Sequence, residues 1–486
     1  MRLQSTDRPL PEIVADTLAV GLARDDAAIP AGLEGTPAGE LLSRLMADGE
    51  LGRAVGDVTP IHGAAGLTAR GLYVFGLGDR GALAPGPMYA AGVALAKRLA
   101  SKPRDAVAVA LPAGGESSAV AASLVEGLIV GTRGPDLRKS SPCRHPFGAL
   151  TIAGPGDAPW LDRALHRGQV VGESINLARD LANTPPAEKP PTRLAEIAAA
   201  AARDAGVEAE IWGGDRVAAE RFGGLSAVAA GSSQPPAFVI LRYRGGEGPP
   251  TALVGKGVTF DSGGLSLKPS AGMEDMKADM TGAAVVLAAI IAAARLGLKV
   301  NIDGYLPLTE NMTGGPAMKL GDVLTMRDGT TVEVMNTDAE GRLILADALA
   351  YAAEQKPSRI IDLATLTGAC LVALGPKIAG LFAVDEPLAA AISRAAAHTG
   401  ERVWRLPMDD DFDDLLKSPV ADLKNVGGKH GGATTAAKFL QRFAGTAPWA
   451  HLDIAGPSWA DADSPTRDAG GTGCFIRTLV TLLETS

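Results

Sequence analysis

The first third of the chain alternates short apolar runs with longer amphipathic runs, and this pattern predicts strands alternating with helices. The runs DTLAVGLA, GLYVFGLG, DAVAVALP and GALTIAG are typical of buried strands, whereas MYAAGVALAKRLA and SAVAASLVEGLIVG are typical of helices. Strands that alternate with helices of about 10–15 residues form βαβ units around a parallel sheet. Residues 1–160 are therefore predicted to form an N-terminal α/β domain with a mostly parallel sheet.

A long helix followed by a proline-rich turn is predicted over residues 161–190. The helical pattern covers residues 162–183, and the sequence TPPAEKPP follows it directly. Proline lacks a backbone N–H and clashes with the preceding helical turn, so several prolines close together end a helix. This segment is accordingly predicted to connect the first domain to a second one.

Residues 191–486 again alternate strand-like and helix-like runs and predict one large α/β domain. Its candidate strands are EAEIW, AFVILRYR, TALVGKGVTF, KVNIDGYLPL, TVEVMNT, SRIIDLATL and WAHLDIAG. The clearest candidate helices cover residues 283–296 and 343–354. In open α/β sheets ligands bind at the carboxyl ends of the strands, so polar residues at those ends are the first candidates for a functional site.

Composition and charge narrow the class of protein further. Of 486 residues, 46% are hydrophobic and 21% are charged, which is typical of a globular protein, and the net charge of −9 disfavours binding of nucleic acid by the whole molecule. The three cysteines lack a metal-binding spacing and are odd in number, so a reducing compartment is expected. The sequence begins without the apolar segment of a signal peptide, and its longest apolar run, 283–294, is too short to span a bilayer. A cytoplasmic protein without a membrane segment is therefore expected.

Four carboxylates are predicted to lie at strand ends or helix starts of the second domain, which favours a metal centre. Asp261 ends the predicted strand that contains Lys256. Asp279 precedes an apolar helix, and Asp338 and Glu340 lie where a strand-like run gives way to a helix. Four acids in one cleft would repel one another and resist burial, and a pair of divalent cations removes both costs. No histidine lies in these stretches, so oxygen-rich ligation is favoured over a histidine-based zinc site.

Each of these residues also has an ordinary structural explanation. Asp261 before two glycines could form a turn, Asp279 could cap a helix, and Lys256 could pair with a single acid. Arg342 could likewise form a salt bridge with a neighbouring acid. Explanations of this kind would have to hold independently at several places, so the set as a whole favours a metal centre.

Four short segments resemble the signatures of the leucine (cytosol) aminopeptidase family. They are VGKGVTFDSGG, MKADMTGAA, NTDAEGRL and LATLTGA, with further support from NLARDLANTPP, ENMTGGPAMKLGDV and WAHLDIAG. The resemblance extends from about Asn176 onward, whereas the first domain matches only in general character. It implies a smaller, variable N-terminal α/β domain and a larger C-terminal α/β peptidase domain with a central mixed β-sheet flanked by helices.

The resemblance also implies a role for each residue of the candidate site. The metal ligands would be Lys256, Asp261, Asp279, Asp338 and Glu340, and the catalytic residues that do not bind metal would be Lys268 and Arg342. Asp261 and Glu340 would bridge two cations, while Asp338 would bind the more exchangeable one. A lysine binds a metal only through its neutral amine, so Lys256 would have to lose its proton.

Two divalent cations per subunit and a bicarbonate ion are the cofactors that the resemblance implies. Mn²⁺ or Zn²⁺ is expected first, with Mg²⁺ or Co²⁺ as further candidates. The bicarbonate would bind the guanidinium of Arg342, whose planar fork suits an oxyanion, and would act as the base. Gly341 is expected to leave room for this anion because it has no side chain.

The expected reaction is hydrolysis of the first peptide bond of peptides with a free N-terminus, with a preference for Leu or a similar apolar residue. A water shared by the two cations would be the nucleophile. By resemblance, the substrate-binding residues would be Met276, Thr365, Leu366 and Gly368, with Ala364 and the GPSWA segment near the pocket for the first side chain.

The resemblance further implies a homohexamer, and two other functions stay open. A two-metal phosphoesterase or nuclease uses similar carboxylate clusters, but it would be expected to add basic or histidine residues for phosphate. DNA binding by the N-terminal domain is the second, although the acidic net charge and the lack of an obvious basic stripe disfavour it.

Overall fold

The computed structural model describes residues 1–115, 117–155 and 158–485, which form two compact units. The first unit comprises Met1–Asn176 with two short later segments, His398–Gly400 and Asp461–Ala469. The second comprises Leu177–Ala397, Glu401–Ala460 and the chain from Gly470 onward. The two-domain α/β organisation predicted from the sequence is confirmed.

The first unit is built on a six-stranded sheet. Its strands are β1 Arg2–Thr6, β2 Thr17–Leu22, β3 Val58–Ile61, β4 Leu72–Gly76, β5 Ala106–Ala110 and β6 Ala149–Ala153. Its helices are α1 Pro37–Ala47, α2 Pro85–Leu99, α3 Ser118–Gly131 and most of α4 Pro159–Asn183. The strand order is β1-β6-β5-β2-β4-β3, and all neighbours are parallel except β3 and β4. The mostly parallel sheet is therefore confirmed.

Alternate residues of the central strands face two separate hydrophobic cores. Ala19 and Val107 pack in the core that contains helices α2 and α3, whereas Leu18 and Ala108 pack in the core that contains α1. A parallel sheet covered on both faces needs apolar residues on both sides of each strand. This requirement explains the continuous apolar runs in the sequence.

The second unit carries the remaining elements. Its strands are β7 Glu208–Trp212, β8 Ala237–Arg244, β9 Thr251–Gly255, β10 Gly257–Asp261, β11 Asn301–Asn311, β12 Val323–Thr325, β13 Thr331–Glu333, β14 Arg359–Ala364, β15 Ala379–Ala383, β16 Val403–Arg405, β17 Leu423–Lys424, β18 Trp449–Asp453, β19 Trp459–Ala460 and β20 Gly470–Gly471. Its helices are α5 Pro191–Asp204, α6 Gly214–Ala219, α7 Gly223–Ala229, α8 Ser270–Met273, α9 Thr281–Arg295, α10 Gly341–Glu354, α11 Gly368–Leu374, α12 Glu386–Thr399, α13 Gly432–Gln441 and α14 Ile476–Glu484.

The central sheet of the second unit is mixed and brings several strand ends to one edge. Its order is β16-β15-β18-β14-β9-β11-β8-β7, with β10 also paired to β11. Strands β9, β10, β11, β14 and β18 run in the same direction, while β7–β8, β8–β11 and β15–β18 are antiparallel pairs. Four of these five co-directional strands, β10, β11, β14 and β18, end at Asp261, Asn311, Ala364 and Asp453, and helices α9 and α10 pack on β9 and β11. This edge is where the predicted site residues converge.

Two details of the predicted central sheet are wrong. Lys256 does not lie inside a strand but between β9 and β10. Its N–H still donates to the carbonyl of Leu363 in β14 at 3.1 Å, whereas its carbonyl accepts from the N–H of Ala283 in α9 at 2.8 Å. The strand before Asp338, β13, does not join the central sheet but pairs with β12 and β17 in a separate three-stranded sheet. Apolar and β-branched residues identify a strand, but they do not tell which sheet it enters.

One helical stretch, Ser270–Arg295, is long and apolar enough to cross a membrane by length and composition alone. In the structure 89% of its apolar window is buried inside the protein. A core helix of a globular protein passes the same test. Helix α9 is such a helix, since its residues 281–293 are buried.

Candidate metal centre

Three of the predicted carboxylates lie close together at the edge of the central sheet. Oxygens of Asp261, Asp338 and Glu340 all lie within 4.8 Å of one another. Asp261 is the last residue of β10, and Glu340 directly precedes α10. Asp261 and Glu340 are almost fully buried, while the side chain of Asp338 is one-third exposed. The cluster therefore has one side open to solvent.

Lys256 links the fourth carboxylate, Asp279, to this cluster. Its Nζ lies 2.8 Å from Oδ2 of Asp279 and 2.8 Å from Oε1 of Glu340. It also donates a hydrogen bond of 3.0 Å to the carbonyl of Thr365. Burial by itself lowers the pKa of the Lys256 ammonium, but the three surrounding carboxylates raise it well above its ordinary value. The Lys256 ammonium therefore offsets part of the negative charge of these acids.

Lys268 makes the second cationic contact with the cluster. Its Nζ lies 2.9 Å from Oδ2 of Asp261 and also forms an ion pair with Oδ1 of Asp338. Burial opposes the charge, yet these carboxylates raise the pKa of Lys268 above its ordinary value. These two carboxylates therefore favour the charged form of Lys268.

Burying these carboxylates close to one another is energetically unfavourable. Burial raises the pKa of Glu340 and of Asp279, and the charge of Asp261 raises both further. Within the residues that the structure describes, Oε2 of Glu340 has no hydrogen-bond partner. Buried carboxylate oxygens in excess of donors, with one amine among them, form a ligand set that suits divalent cations. The residues present therefore fit a metal centre.

The ordinary structural explanation is correct for Asp261 and incorrect for Asp279. Asp261 does form the turn that its sequence allows, since its Oδ1 accepts from the N–H of Gly263 at 2.8 Å. Its other oxygen faces Lys268, so the turn and the cluster share one side chain. Asp279 does not cap α9, because the N-cap position is Met280 and no side chain makes a capping bond there.

Arg342 lies buried on the first turn of α10. Its Nη1 donates to the carbonyl of Asn425 at 2.8 Å, whereas its Nε has no hydrogen-bond partner among the described residues. Burial lowers the pKa of Arg342 to about 10, although Glu340 and Asp453 oppose this. Over the described ranges no carboxylate lies within ion-pairing distance of its guanidinium, so the alternative of a simple salt bridge is not realised.

The missing side chain of Gly341 leaves space for Lys256 and not for an anion. An ideal Cβ at this position would lie 2.7 Å from both Cε and Nζ of Lys256. The space left by the missing side chain is therefore filled by Lys256, and the expectation that it makes room for an anion is wrong. The sequence could not show this, because the two residues are distant along the chain.

The predicted substrate-binding residues lie on two segments of the second unit. Thr365 is in the cluster, since its Oγ1 donates to Oδ1 of Asp279 at 2.7 Å. Leu366 is half-buried and donates its N–H to Oδ1 of Asp453 at 3.2 Å, and Gly368 is the exposed first residue of α11. Met276 is half-buried and begins the 3₁₀ turn Met276–Ala278, which ends next to Asp279.

Sequence reasoning missed three polar residues in and around the site. Asn311 donates to Oδ1 of Asp261 at 2.8 Å and to the carbonyl of Thr337 at 3.0 Å. Its position at the end of β11, in register with Asp261, was a signal that could have found it. Asp453 also ends a parallel strand and accepts from Thr367 at 2.7 Å. Asn425 follows a strand of only two residues and offers no comparable signal.

Models of known protein families match both units of the chain. The model described as the cytosol aminopeptidase family, catalytic domain, covers residues 176–480, and the model of the same family's N-terminal domain covers residues 19–136. The chain belongs to the cytosol aminopeptidase family. The resemblance stated from the sequence is thereby confirmed, and membership of this family makes the chain a metal-dependent peptidase.

Curated relatives and solved structures support the assignment over nearly the whole chain. A probable cytosol aminopeptidase of Solibacter usitatus is 40% identical over 487 residues, covering 99% of both chains. One of Geobacter sulfurreducens is 44% identical over 459 residues, covering 93% of this chain and 91% of the relative. A mutant of tomato leucine aminopeptidase is 33% identical with a TM-score of 0.88, covering 100% of this chain and 97% of that one. A bottromycin maturation enzyme in complex with Mn is 36% identical with a TM-score of 0.85, covering 97% and 99%.

Proposed function

We propose that this enzyme hydrolyses the first peptide bond of peptides that begin with Leu or a similar apolar residue, using two divalent cations. The observation that carries the proposal is the cluster of Asp261, Asp338 and Glu340, whose oxygens lie within 4.8 Å of one another. Lys256 and Asp279 extend the same cluster through contacts of 2.8 Å. Five potential ligands in one place are more than a single ion pair requires.

The five residues of the cluster would divide between two cations. Asp261 and Glu340, the most deeply buried carboxylates of the group, would both help to hold the pair of cations. Lys256 and Asp279 would help to hold one cation. Asp338, whose side chain is one-third exposed, would help to hold the more exchangeable cation. Two bound cations would lower the pKa of a water molecule and polarise the scissile carbonyl.

Lys268 would stabilise the negative charge that develops on the scissile carbonyl oxygen. Its ammonium already lies beside Asp261 and Asp338, so it is held at the edge of the cluster without being fully buried. A fixed cation in a partly desolvated site stabilises an oxyanion more than it stabilises the neutral carbonyl. Lys268 would therefore act on the transition state.

Arg342 would hold a bicarbonate ion, which when bound would supply the general base that the side chains of the site lack. The guanidinium is buried, and its Nε has no hydrogen-bond partner in the part of the chain that the structure describes. A buried guanidinium with unused donors is suited to an oxyanion that it can bind through two N–H groups. Gly341 would contribute only indirectly, through the space that it gives to Lys256.

The segment around Thr365 and the turn at Met276 would form the pocket for the first side chain. Leu366 and Met276 supply apolar surface, and an added Cβ at Gly368 would meet no atom within 4 Å. A free N-terminal amine would be recognised beside the acid cluster, which restricts cleavage to the first residue. The apolar character of Leu366 and Met276 supports a preference for Leu-like residues.

Hydrolysis of leucine p-nitroanilide tests the function directly. Metal-depleted enzyme would be supplied in turn with Mn²⁺, Zn²⁺, Co²⁺ and Mg²⁺, and activity is expected first with Mn²⁺ or Zn²⁺. A Mn-bound relative of the same fold supports this order. A panel of aminoacyl amides would define the preference for the first residue, and a phosphodiester serves as the control substrate. Cleavage of the phosphodiester without cleavage of the amide would contradict the proposal.

The assembly and location also stay predictions. A homohexamer in the cytoplasm is expected for this family, and light scattering that finds a stable, active monomer would refute the hexamer. DNA binding by the N-terminal domain is disfavoured by the net charge of −9. A gel shift at several salt concentrations would detect it.

A further inference from the structure

Lys189 is a fully buried lysine whose amine, among the residues that the structure describes, bonds to main-chain carbonyls alone. It lies in the proline-rich turn that follows α4, and its side chain is 0% exposed. Its Nζ donates to the carbonyls of Leu181, Ala182 (3.2 Å) and Lys277 (2.8 Å). Three acceptors match the three N–H groups of an ammonium.

No carboxylate lies within ion-pairing distance of Lys189 over the described ranges. Burial, together with the nearby charge of Lys277, lowers the pKa of Lys189 to about 7. Two of its acceptors belong to the last turn of α4, where carbonyls lack helical partners and the helix dipole favours a cation. Burying this charge costs free energy, and apolar packing does not require it. A leucine or methionine would fill the same space at a lower free-energy cost.

The third acceptor connects Lys189 to the candidate active site. Lys277 is the middle residue of the turn Met276–Ala278, which carries Met276 and is followed directly by Asp279. The side chain of Lys277 points elsewhere, and its Nζ lies 5.6 Å from the ring centroid of Trp459 in the GPSWA segment. Lys189 therefore holds the main chain of the turn, while Lys277 contacts the predicted pocket wall.

We propose that Lys189 is a positioning residue, whose ammonium joins the end of α4 to the turn that carries Met276 and Asp279. The role rests on the proposed function in so far as Met276 and Asp279 serve substrate and metal. Loss of the ammonium removes a donor from three carbonyls, two of them buried, and the turn moves to find other partners. Displacements of about 1 Å near a reacting centre reduce rates on the order of 100-fold.

Lys189→Ala tests the proposal, because it removes the amine and leaves a cavity that propylammonium would fill. At a temperature well below unfolding, kcat/KM for leucine p-nitroanilide is expected to fall on the order of 10-fold to 100-fold. Propylammonium is expected to restore most of the activity, while tetramethylammonium, which has no N–H donor, is expected to restore none. A role in stability alone would lower the melting temperature and leave kcat/KM of the folded enzyme unchanged.

Lys319→Ala is the matched control, since this lysine is exposed and pairs only with Asp322 three residues on. Its activity is expected to be that of the wild type and not to respond to propylammonium. Lys189→Met fills the same space without a charge and is expected to be as impaired as Lys189→Ala, with no response to the amine. Wild-type kcat/KM in either Lys189 variant would overturn the proposal, and so would impairment of Lys189→Ala without rescue.

A readout independent of activity separates this proposal from the proposed function. Propylammonium is expected to raise the melting temperature of Lys189→Ala and not that of Lys319→Ala. If propylammonium raises the melting temperature of Lys189→Ala but the wild type is inactive, the peptidase proposal is overturned. The role of Lys189 in connecting α4 to the turn would still be supported. If Lys189→Ala is recovered unfolded, its refolding yield is expected to rise with propylammonium, and a yield that ignores the amine would overturn the role of Lys189.

Discussion

Gly341 and Lys256 are coupled by steric fit: an ideal Cβ on Gly341 would lie 2.7 Å from Cε and Nζ of Lys256. The lysine reaches Asp279 and Glu340 only because this position has no side chain. The contact involves the far end of a flexible side chain, so a larger residue would displace the amine and not the backbone. The glycine therefore serves the site and not the stability of α10.

Gly341→Ala is expected to fold normally while losing most of its activity. The displaced Lys256 amine would no longer lie between Asp279 and Glu340, and a misplacement of about 1 Å corresponds to a rate loss on the order of 100-fold. Rates and metal content by mass spectrometry would be measured together. Gly213→Ala is the control, since an added Cβ there meets nothing within 4 Å; equal rates in the two variants would show that the fit is unimportant.

Asp338→Ala and Glu340→Ala are expected to abolish activity and to reduce bound metal. Each removes an oxygen from the group within 4.8 Å, and no neighbouring side chain replaces it. Asp411→Ala, at an exposed position outside the cluster, is the control for the loss of a carboxylate. Near-normal turnover in either cluster variant, with metal content unchanged, would refute the assignment of these ligands.

Lys268→Ala and Arg342→Ala are expected to lower kcat by about 100-fold or more while leaving the metal content near that of the wild type. Neither residue is a proposed metal ligand, so these variants distinguish a loss of catalysis from a loss of bound metal. In buffer depleted of carbon dioxide, added bicarbonate is expected to stimulate the wild type but not Arg342→Ala. Equal stimulation of both enzymes would place the bicarbonate elsewhere.

The buried pair of His451 and Asp362 is expected to make stability depend on pH. Burial by itself lowers the pKa of His451, but Asp362, 2.6 Å from Nδ1, more than offsets this and raises it above its ordinary value. A raised histidine pKa contributes stability that is fully present below the unfolded-state pKa of about 6.5 and is lost as pH rises through the folded-state pKa.

Asp362→Asn measures this contribution by thermal denaturation at acidic and alkaline pH. Removing one partner of a buried pair costs about 3–5 kcal/mol, so the variant is expected to be least stable, relative to the wild type, near pH 6. The difference is expected to shrink as pH rises through the raised folded-state pKa of His451. Asp411→Asn, at an exposed position, controls for the change of charge. A difference that is constant across this range would exclude the charged pair.

Local sequence pattern was enough to predict the secondary-structure elements and the chemical class of the site. Apolar runs such as DAVAVALP and SAVAASLVEGLIVG become β5 and α3, because a strand or helix buried on all sides must be apolar throughout. Asp261 and Glu340 were found because a charged residue beside such a run must have a compensating partner. These inferences need only local pattern and the cost of burying charge.

How those residues meet depends on the tertiary structure. It placed β13 in a separate small sheet and Lys256 between β9 and β10, and it filled the space at Gly341 with that lysine. It also brought Lys189 to the carbonyl of Lys277, 88 positions away in sequence. The physical reason is that packing and hydrogen bonding act between surfaces, and a chain pattern records how polar each position is but not which distant surface will lie against it.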